Sequence, residues 1–330
     1  MDKPMGKLYH EKDASLDVLK NKKVAVIGYG NQGSAQAQNL KDSGVDVVVG
    51  LREGPSWKRA TDDGMRVLPV DKATREADIV HILLPDEVQS RVYDREIKDN
   101  LESGNTLSFS HGFNITFKCI EPPDYVDVIM IAPKAPGYMV RKLYQDGFGT
   151  PALIAVEQNV TGKAKDIALA MAKAMHFTKA GVLETTFYEE STSDLFGEQA
   201  VLCGGVSELI KSGFNTLVDA GYQPELAYFE CMHELKLITD LFYRGGMEFM
   251  WKMVSNTAEY GGRTRGKRVV NEQSKREMGK ILDDIKSGKF AEEWIKESTN
   301  GMQFLQKARK EDEKEEIEIV GKKIRELFTR

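Results

Sequence analysis

Six residues, Gly28-Tyr29-Gly30-Asn31-Gln32-Gly33, constrain this chain more than any others. They follow a short apolar run at 24–28 (VAVIG) and open a helical pattern over 31–43 that Gly44 stops. In a GxGxxG turn Gly28 permits the tight bend, Gly30 lets a pyrophosphate approach the backbone, and Gly33 lets helix and strand pack closely. The unpaired N–H groups of the helix start then face the phosphates. A second apolar run at 45–50 (VDVVVG) completes a strand–helix–strand unit, the context that separates a dinucleotide site from a chance glycine-rich turn.

Further apolar runs occur at 77–85 (ADIVHILLP), 106–110, 126–132 (VDVIMIA) and 151–157 (PALIAVE), with helical stretches between them. Such alternation predicts βαβ units and a parallel sheet, so the first half reads as an α/β Rossmann domain. From about Gly181 the β-branched runs thin out, and helices are expected at 191–220 and 224–243 and beyond. Gly221 should stop one helix, and Pro224 suits the first turn of the next. With 330 residues, two domains are expected: a Rossmann domain over 1–182 and an all-α domain over 183–330. The tail 307–330 alternates acids and bases around Ile317, Ile319, Ile324 and Leu327, as a solvated helix with one apolar stripe would.

A net charge of −5 argues against a nucleic-acid surface and for a small-molecule enzyme. Cys119, Cys203 and Cys231 lie far apart, which disfavours a disulfide framework or zinc site and makes each a small buried apolar residue. The start lacks a signal-peptide core, and no apolar run approaches the roughly 20 residues of a membrane span. A cytoplasmic protein with no membrane partner is expected.

The end of the second strand should choose between NADH and NADPH. Glu53 stands where an acid bonds the ribose hydroxyls of NAD and repels a 2′-phosphate, whereas Arg52, Ser56 and Lys58 could bind that phosphate. Use of both cofactors is the expectation. Further contacts should come from later strand ends: Asp86 and Gln89, Gly137, and near the reacting centre His111 and Lys134, whose cation could steady an oxyanion.

In the helical half Asp194 and Glu198 stand four apart, and Glu230 and Glu234 repeat the spacing on another helix. Like charges on one face repel, so such pairs are usually solvated surface. Here Phe196, Val201 and Leu202 flank the first pair, and Leu226, Tyr228, Phe229 and Leu235 the second, which suggests partly buried acids able to hold one magnesium ion or two. His233 reads as a packing residue, since magnesium prefers oxygen ligands.

Together these residues resemble the ketol-acid reductoisomerase (acetohydroxy-acid isomeroreductase) family in its shorter, class I form. The resemblance rests on GYGNQG at 28–33, VGLREG at 49–54, HGFNI at 111–115, APKAPG at 132–137, DLFGEQ at 194–199, GYQPELAYFE at 221–230, HELK at 233–236 and SNTAEYG at 255–261. It implies a knotted helical domain and two magnesium ions on Asp194, Glu198, Glu230 and Glu234, with Asp194 bridging. It also implies a substrate contact at Ser255, His111 and Lys134 near the nicotinamide, Glu234 as a proton shuttle, and a dimer in which the partner chain supplies Glu230, Glu234 and Ser255. The implied reaction converts 2-acetolactate or 2-aceto-2-hydroxybutanoate into a 2,3-dihydroxy acid by alkyl migration and NAD(P)H reduction, in valine, isoleucine and leucine synthesis. Asn31 stands where that family more often has serine, and Tyr138 where a smaller or imidazole side chain is frequent. Rival readings are a metal-free 3-hydroxy acid dehydrogenase, which leaves both acidic pairs idle, and a dinucleotide-sensing scaffold, which leaves Lys134 without a task.

Overall fold

The computed structural model describes residues 6–328. The chain divides between Ser191 and Thr192 into two compact units. In the first, the strands are β1 (Leu8–Tyr9), β2 (Lys23–Ile27), β3 (Asp46–Gly50), β4 (Arg66–Leu68), β5 (Ile79–Ile82), β6 (Thr106–Phe109), β7 (Asp127–Pro133), β8 (Ala152–Gln158) and β9 (Val182–Glu184). They form one sheet in the order β1-β9-β8-β7-β6-β5-β2-β3-β4. Because β2 lies between β3 and β5, the winding reverses there, and a crevice opens beyond the carboxyl ends of those strands.

The alternation of each strand divides its residues between two cores. Val24 and Val26 of β2 pack into one apolar cluster, and Ala25 and Ile27 into the other, so helices can cover both faces. The helix Asn31–Asp42 covers one face and ends at Ser43, and Gly44 (φ +82°) turns the chain into β3. All six anticipated apolar runs form strands; β1, β4 and β9, of two or three residues, are too short to carry a period.

The sheet departs from the expected parallel arrangement at β7–β8 and β1–β9, which pair antiparallel. At β7–β8 the reason lies in the connection. The helix Gly137–Gln145 packs along Asn31–Asp42 instead of crossing back over the sheet. Ala152 therefore enters opposite Pro133, at the carboxyl end of β7.

The second unit is helical, with an apolar cluster of Phe214, Ala227, Tyr228, Ile317, Val320 and Ile324. Neither long helix expected there is continuous. Phe187–Gly197 and Gly204–Asp219 are separated by a π-turn at Glu198–Leu202, and Pro224–Tyr228 and Glu234–Met253 by another at Phe229–His233. Gly246 (φ +75°) kinks the last of these helices. Pro224 does sit in a first turn, and Gly221 (φ +88°) does follow a helix end. On the final helix, Glu316–Phe328, the buried stripe is Ile317, Val320 and Ile324, at 3–4 residue spacing; Ile319 and Leu327 face outward, against expectation. The cysteines also differ from expectation: Cys203 is exposed at the end of a π-turn, and Cys119 and Cys231 are half-buried. No helix among the described residues is long and apolar enough to cross a membrane.

Ile324→Ala should lower stability by about 2–5 kcal/mol in urea unfolding followed by tryptophan fluorescence, because the buried site leaves a cavity. Ile319→Ala, at a half-exposed position, should change it by no more than about 0.5 kcal/mol.

Candidate functional site

The glycine turn follows β2. Gly28 has φ +105°, which favours glycine, and a Cβ at Gly33 would overlap the carbonyl oxygen of Gly28. A Cβ at Gly30 would meet nothing within 4 Å, so the face where a pyrophosphate would approach is open. In front lies a cleft of about 890 Å³ lined by Gly28, Gly30, Arg52, Glu53, Ser56 and, from another wall, Arg91. Its size and lining suit a dinucleotide. Glu53 and Arg52 are exposed, and Ser56 lies in the helix Pro55–Asp62.

Tyr29 turns inward. Its hydroxyl donates to Asp63 (2.9 Å) and accepts from Gln38 (3.1 Å), while Arg59 bonds its carbonyl oxygen. Burial and Asp63 both push its phenol pKa upward, so the ring works as a packing residue that anchors the turn. Gln32 donates to Ala135 O (2.9 Å), tying the turn to the loop that carries Lys134 and Gly137.

Behind Gln32 runs a buried polar chain. Gln36 donates to Gln32 Oε1 and to Ser110 Oγ, both at 3.1 Å, and its own Oε1 lies 2.9 Å from His81 Nε2. His81 Nδ1 is 2.8 Å from Ser108 Oγ. Complete burial lowers the His81 pKa to about 4, so the ring is neutral and its two nitrogens take opposite roles. Gln36 Nε2 is spent on two acceptors, so Nε2 of His81 carries the proton and Nδ1 accepts from Ser108. This chain joins β5 and β6 to the glycine turn.

His111 and Lys134, at the ends of β6 and β7, meet at a residue that the sequence reading missed. Glu190, 1% exposed, bonds His111 Nδ1 (3.1 Å), Lys134 Nζ (2.9 Å) and the Gly112 N–H (2.9 Å). Burial pushes its pKa up, but His111, Lys134 and the Gly112 N–H outweigh that, and the net shift is downward. Glu190 is thus held as a carboxylate. Its signal was present: Glu190, Asp194 and Glu198 recur every four residues.

Gln89 is buried and bonds Leu84 O (2.8 Å) and Asp86 Oδ1 (3.2 Å), and Asn114 donates to Asp86 O (3.1 Å). The Gln89 Oε1 is buried without a partner. The start of the helix Asp86–Val92 is therefore braced against the short helix Phe113–Thr116 that follows His111.

Asp194 follows Glu190 by four residues within Phe187–Gly197 and is half-buried. Glu198, Glu230 and Glu234 are exposed in the single chain, against the expectation of partial burial. Among the described residues they enter no group of three or more potential metal ligands. The apolar flanks misled because Val201, Leu202 and Leu226 are themselves exposed, facing away from this chain's own core. Ser255 caps the helix Asn256–Val269, its Oγ accepting from the Ala258 N–H (3.1 Å), which leaves its own proton to donate.

The buried His81 makes an acid-side prediction. Unfolded, it takes up a proton near pH 6.5; folded, only near pH 4. Stability should therefore fall as pH drops through that window, by up to about 3 kcal/mol from this group. His81→Gln, followed by urea unfolding between pH 7 and 4, should flatten that slope. An unchanged slope would refute the assignment.

Residues 18–181 match the family described as acetohydroxy acid isomeroreductase, NADPH-binding domain, and residues 187–330 that described as ketol-acid reductoisomerase, C-terminal domain. The ketol-acid reductoisomerase (NADP(+)) of Methanopyrus kandleri is 60% identical over 325 residues, covering 98% of this chain and 99% of that protein. That of Methanothermobacter thermautotrophicus is 57% identical over 322 residues, covering 97% and 98%. Among solved structures, an NADH-preferring ketol-acid reductoisomerase from an uncultured archean superposes with a TM-score of 0.96 at 52% identity, over 98% of this chain and 100% of that one. This chain belongs to the ketol-acid reductoisomerase family of oxidoreductases.

Proposed function

We propose that the protein converts a 2-acetohydroxy acid to a 2,3-dihydroxy acid, by an alkyl shift followed by nicotinamide-linked reduction, using magnesium and sites shared between two chains. The observation that carries this reading is the buried Glu190 carboxylate gripping His111 and Lys134 at the strand ends where a nicotinamide-binding sheet keeps its chemistry.

Asp194, Glu198, Glu230 and Glu234 would hold the metal, and their all-oxygen donor set is what magnesium selects. Bound magnesium supplies Lewis acidity toward neighbouring substrate oxygens. Glu190 keeps the Lys134 ammonium and the His111 ring in place, so a cation stands ready where oxyanion charge develops. Ser255 keeps a hydroxyl proton for the substrate carboxylate, and Glu234 is the candidate for moving a proton. With this chemistry the product would serve branched-chain amino acid synthesis.

Sharing between chains is supported by exposure. Glu230, Glu234 and Ser255 are exposed in the single chain, and so are Leu226, Leu237, Tyr243 and Met247, the last two at 94% and 74%. Apolar side chains on that scale suit coverage by a second copy. The cofactor reading is dual use: Glu53 faces the cleft beside Arg52 and Ser56, one sign of charge for ribose hydroxyls and the other for a 2′-phosphate.

Oxidation of NADPH and NADH with 2-acetolactate, with and without magnesium, tests the reaction; turnover that persists without divalent cations would refute the metal role. Glu198→Gln should abolish isomerisation while cofactor binding stays largely intact, and normal turnover in that variant would overturn the metal assignment. Glu198→Gln and Glu234→Gln chains should each be inactive alone. Co-expressed, they should recover about a quarter of wild-type activity, because random pairing gives half the dimers one intact site. No recovery would mean the four carboxylates act within one chain. Glu53→Ala should lower the KM for NADPH relative to that for NADH, and an unchanged ratio would remove Glu53 from selectivity.

A further inference from the structure

The helix that carries Asp194 does not run on into the helix Gly204–Asp219. At Glu198–Leu202 the turn widens, and the Cys203 N–H bonds the carbonyl of Glu198, five residues back instead of four, at 3.0 Å. Widening moves the carbonyls of the turn beneath the residues that follow. The oxygen of Gln199 lies against the position of a Cβ at Gly204, and the oxygen of Ala200 against that at Gly205. Both approaches are closer than any real Cβ shows, and both neighbours are backbone, so no side-chain rotation relieves them.

Two adjacent glycines cost a helix about 1 kcal/mol each relative to alanine, so their presence in a first helical turn needs a compensating cause. The other π-turns among the described residues, at Tyr93–Ile97 and Phe229–His233, carry Asp99-Asn100 and Leu235-Lys236 at the corresponding positions, without a glycine. The demand is thus specific to the turn that starts at Glu198.

A π-turn inserts one residue into the helical repeat, and one residue of α-helix is a rotation of about 100°. Gly204–Asp219 is fixed by Phe214, fully buried in the cluster with Tyr228 and Ile317. The width of the turn therefore sets the direction in which the preceding turn, with Asp194 and Glu198, points relative to that core. We propose that Gly204 and Gly205 are positioning residues for the metal-binding carboxylates: they admit the backbone carbonyls of the π-turn and so fix the phase of the Asp194–Glu198 pair. The inference rests on the reading of those two acids as magnesium ligands.

The test measures magnesium binding by calorimetry and NADPH binding by fluorescence on the full-length protein. Gly204→Ala and Gly205→Ala should each weaken magnesium binding at least about tenfold, a change of about 1.4 kcal/mol, with NADPH affinity held within about twofold. Gly279→Ala, in the helix Glu272–Lys286 where a Cβ meets nothing within 4 Å, should leave both unchanged. If the alanine variants fail to fold, deletion of the half-exposed Val201 narrows the turn with the glycines in place, and it should give normal helical circular dichroism with the same loss of magnesium affinity. Glu198→Gln separates the two levels. If it binds magnesium as the wild type does, the metal reading fails and the inference falls with it. If it loses magnesium while the glycine variants or the deletion bind normally, the metal reading stands and the positioning role is refuted.

Discussion

The buried carboxylate of Glu190 is the interaction on which the carboxyl ends of β6 and β7 depend. Taking an ionised carboxylate out of water costs several kcal/mol unless its oxygens are satisfied. Here the Lys134 ammonium, a ring nitrogen of His111 and a backbone N–H satisfy them at 2.9–3.1 Å. Loss of any partner leaves the others bound to a charge that is no longer balanced. The ends of β6 and β7 and the helix Phe187–Gly197 are therefore held by one group, and Ser191 adds a second tie to Thr116 at 2.9 Å.

A neutral network backs that charged one. The chain from Ser108 through His81, Gln36 and Gln32 to Ala135 O leaves each side chain a single sensible orientation. A histidine able to protonate at neutral pH would turn its acceptor into a donor facing Ser108. Burial, by holding the pKa near 4, keeps the chain in one arrangement over the range in which an enzyme of this kind would work. The glycine turn and the Lys134 loop are thereby tied to each other through Gln32.

The sheet and the dinucleotide turn were legible because their signals are local. Strand period, glycine order and a helix stop at Gly44 act within a few residues, and each has one physical meaning. The antiparallel entry of β8 was not legible, since it depends on where the helix Gly137–Gln145 packs. The acids of the helical unit were legible as residue types but not as positions. An apolar flank says that a side chain wants cover; it does not say whether this chain's core or another copy provides it, and at Leu202 and Leu226 its own core does not. Glu190 lies on the same four-residue period, but its role rests on His111 and Lys134, 79 and 56 residues away, which no local pattern brings together.

Two kinds of glycine show the same limit. Gly28 and Gly33 sit in a spacing whose geometry is known in advance, so their purpose could be read from the letters alone. Gly204 and Gly205 follow no such spacing, and in a helix they look like a weakness. Their purpose appears only when the carbonyls of Gln199 and Ala200 are in place, and those carbonyls owe their position to a turn one residue wider than the helical period assumes. Period-based reading places Asp194 and Glu198 correctly relative to each other, yet it misplaces both by about 100° relative to Phe214. In this unit a single inserted residue separates a correct list of acids from a correct direction for them.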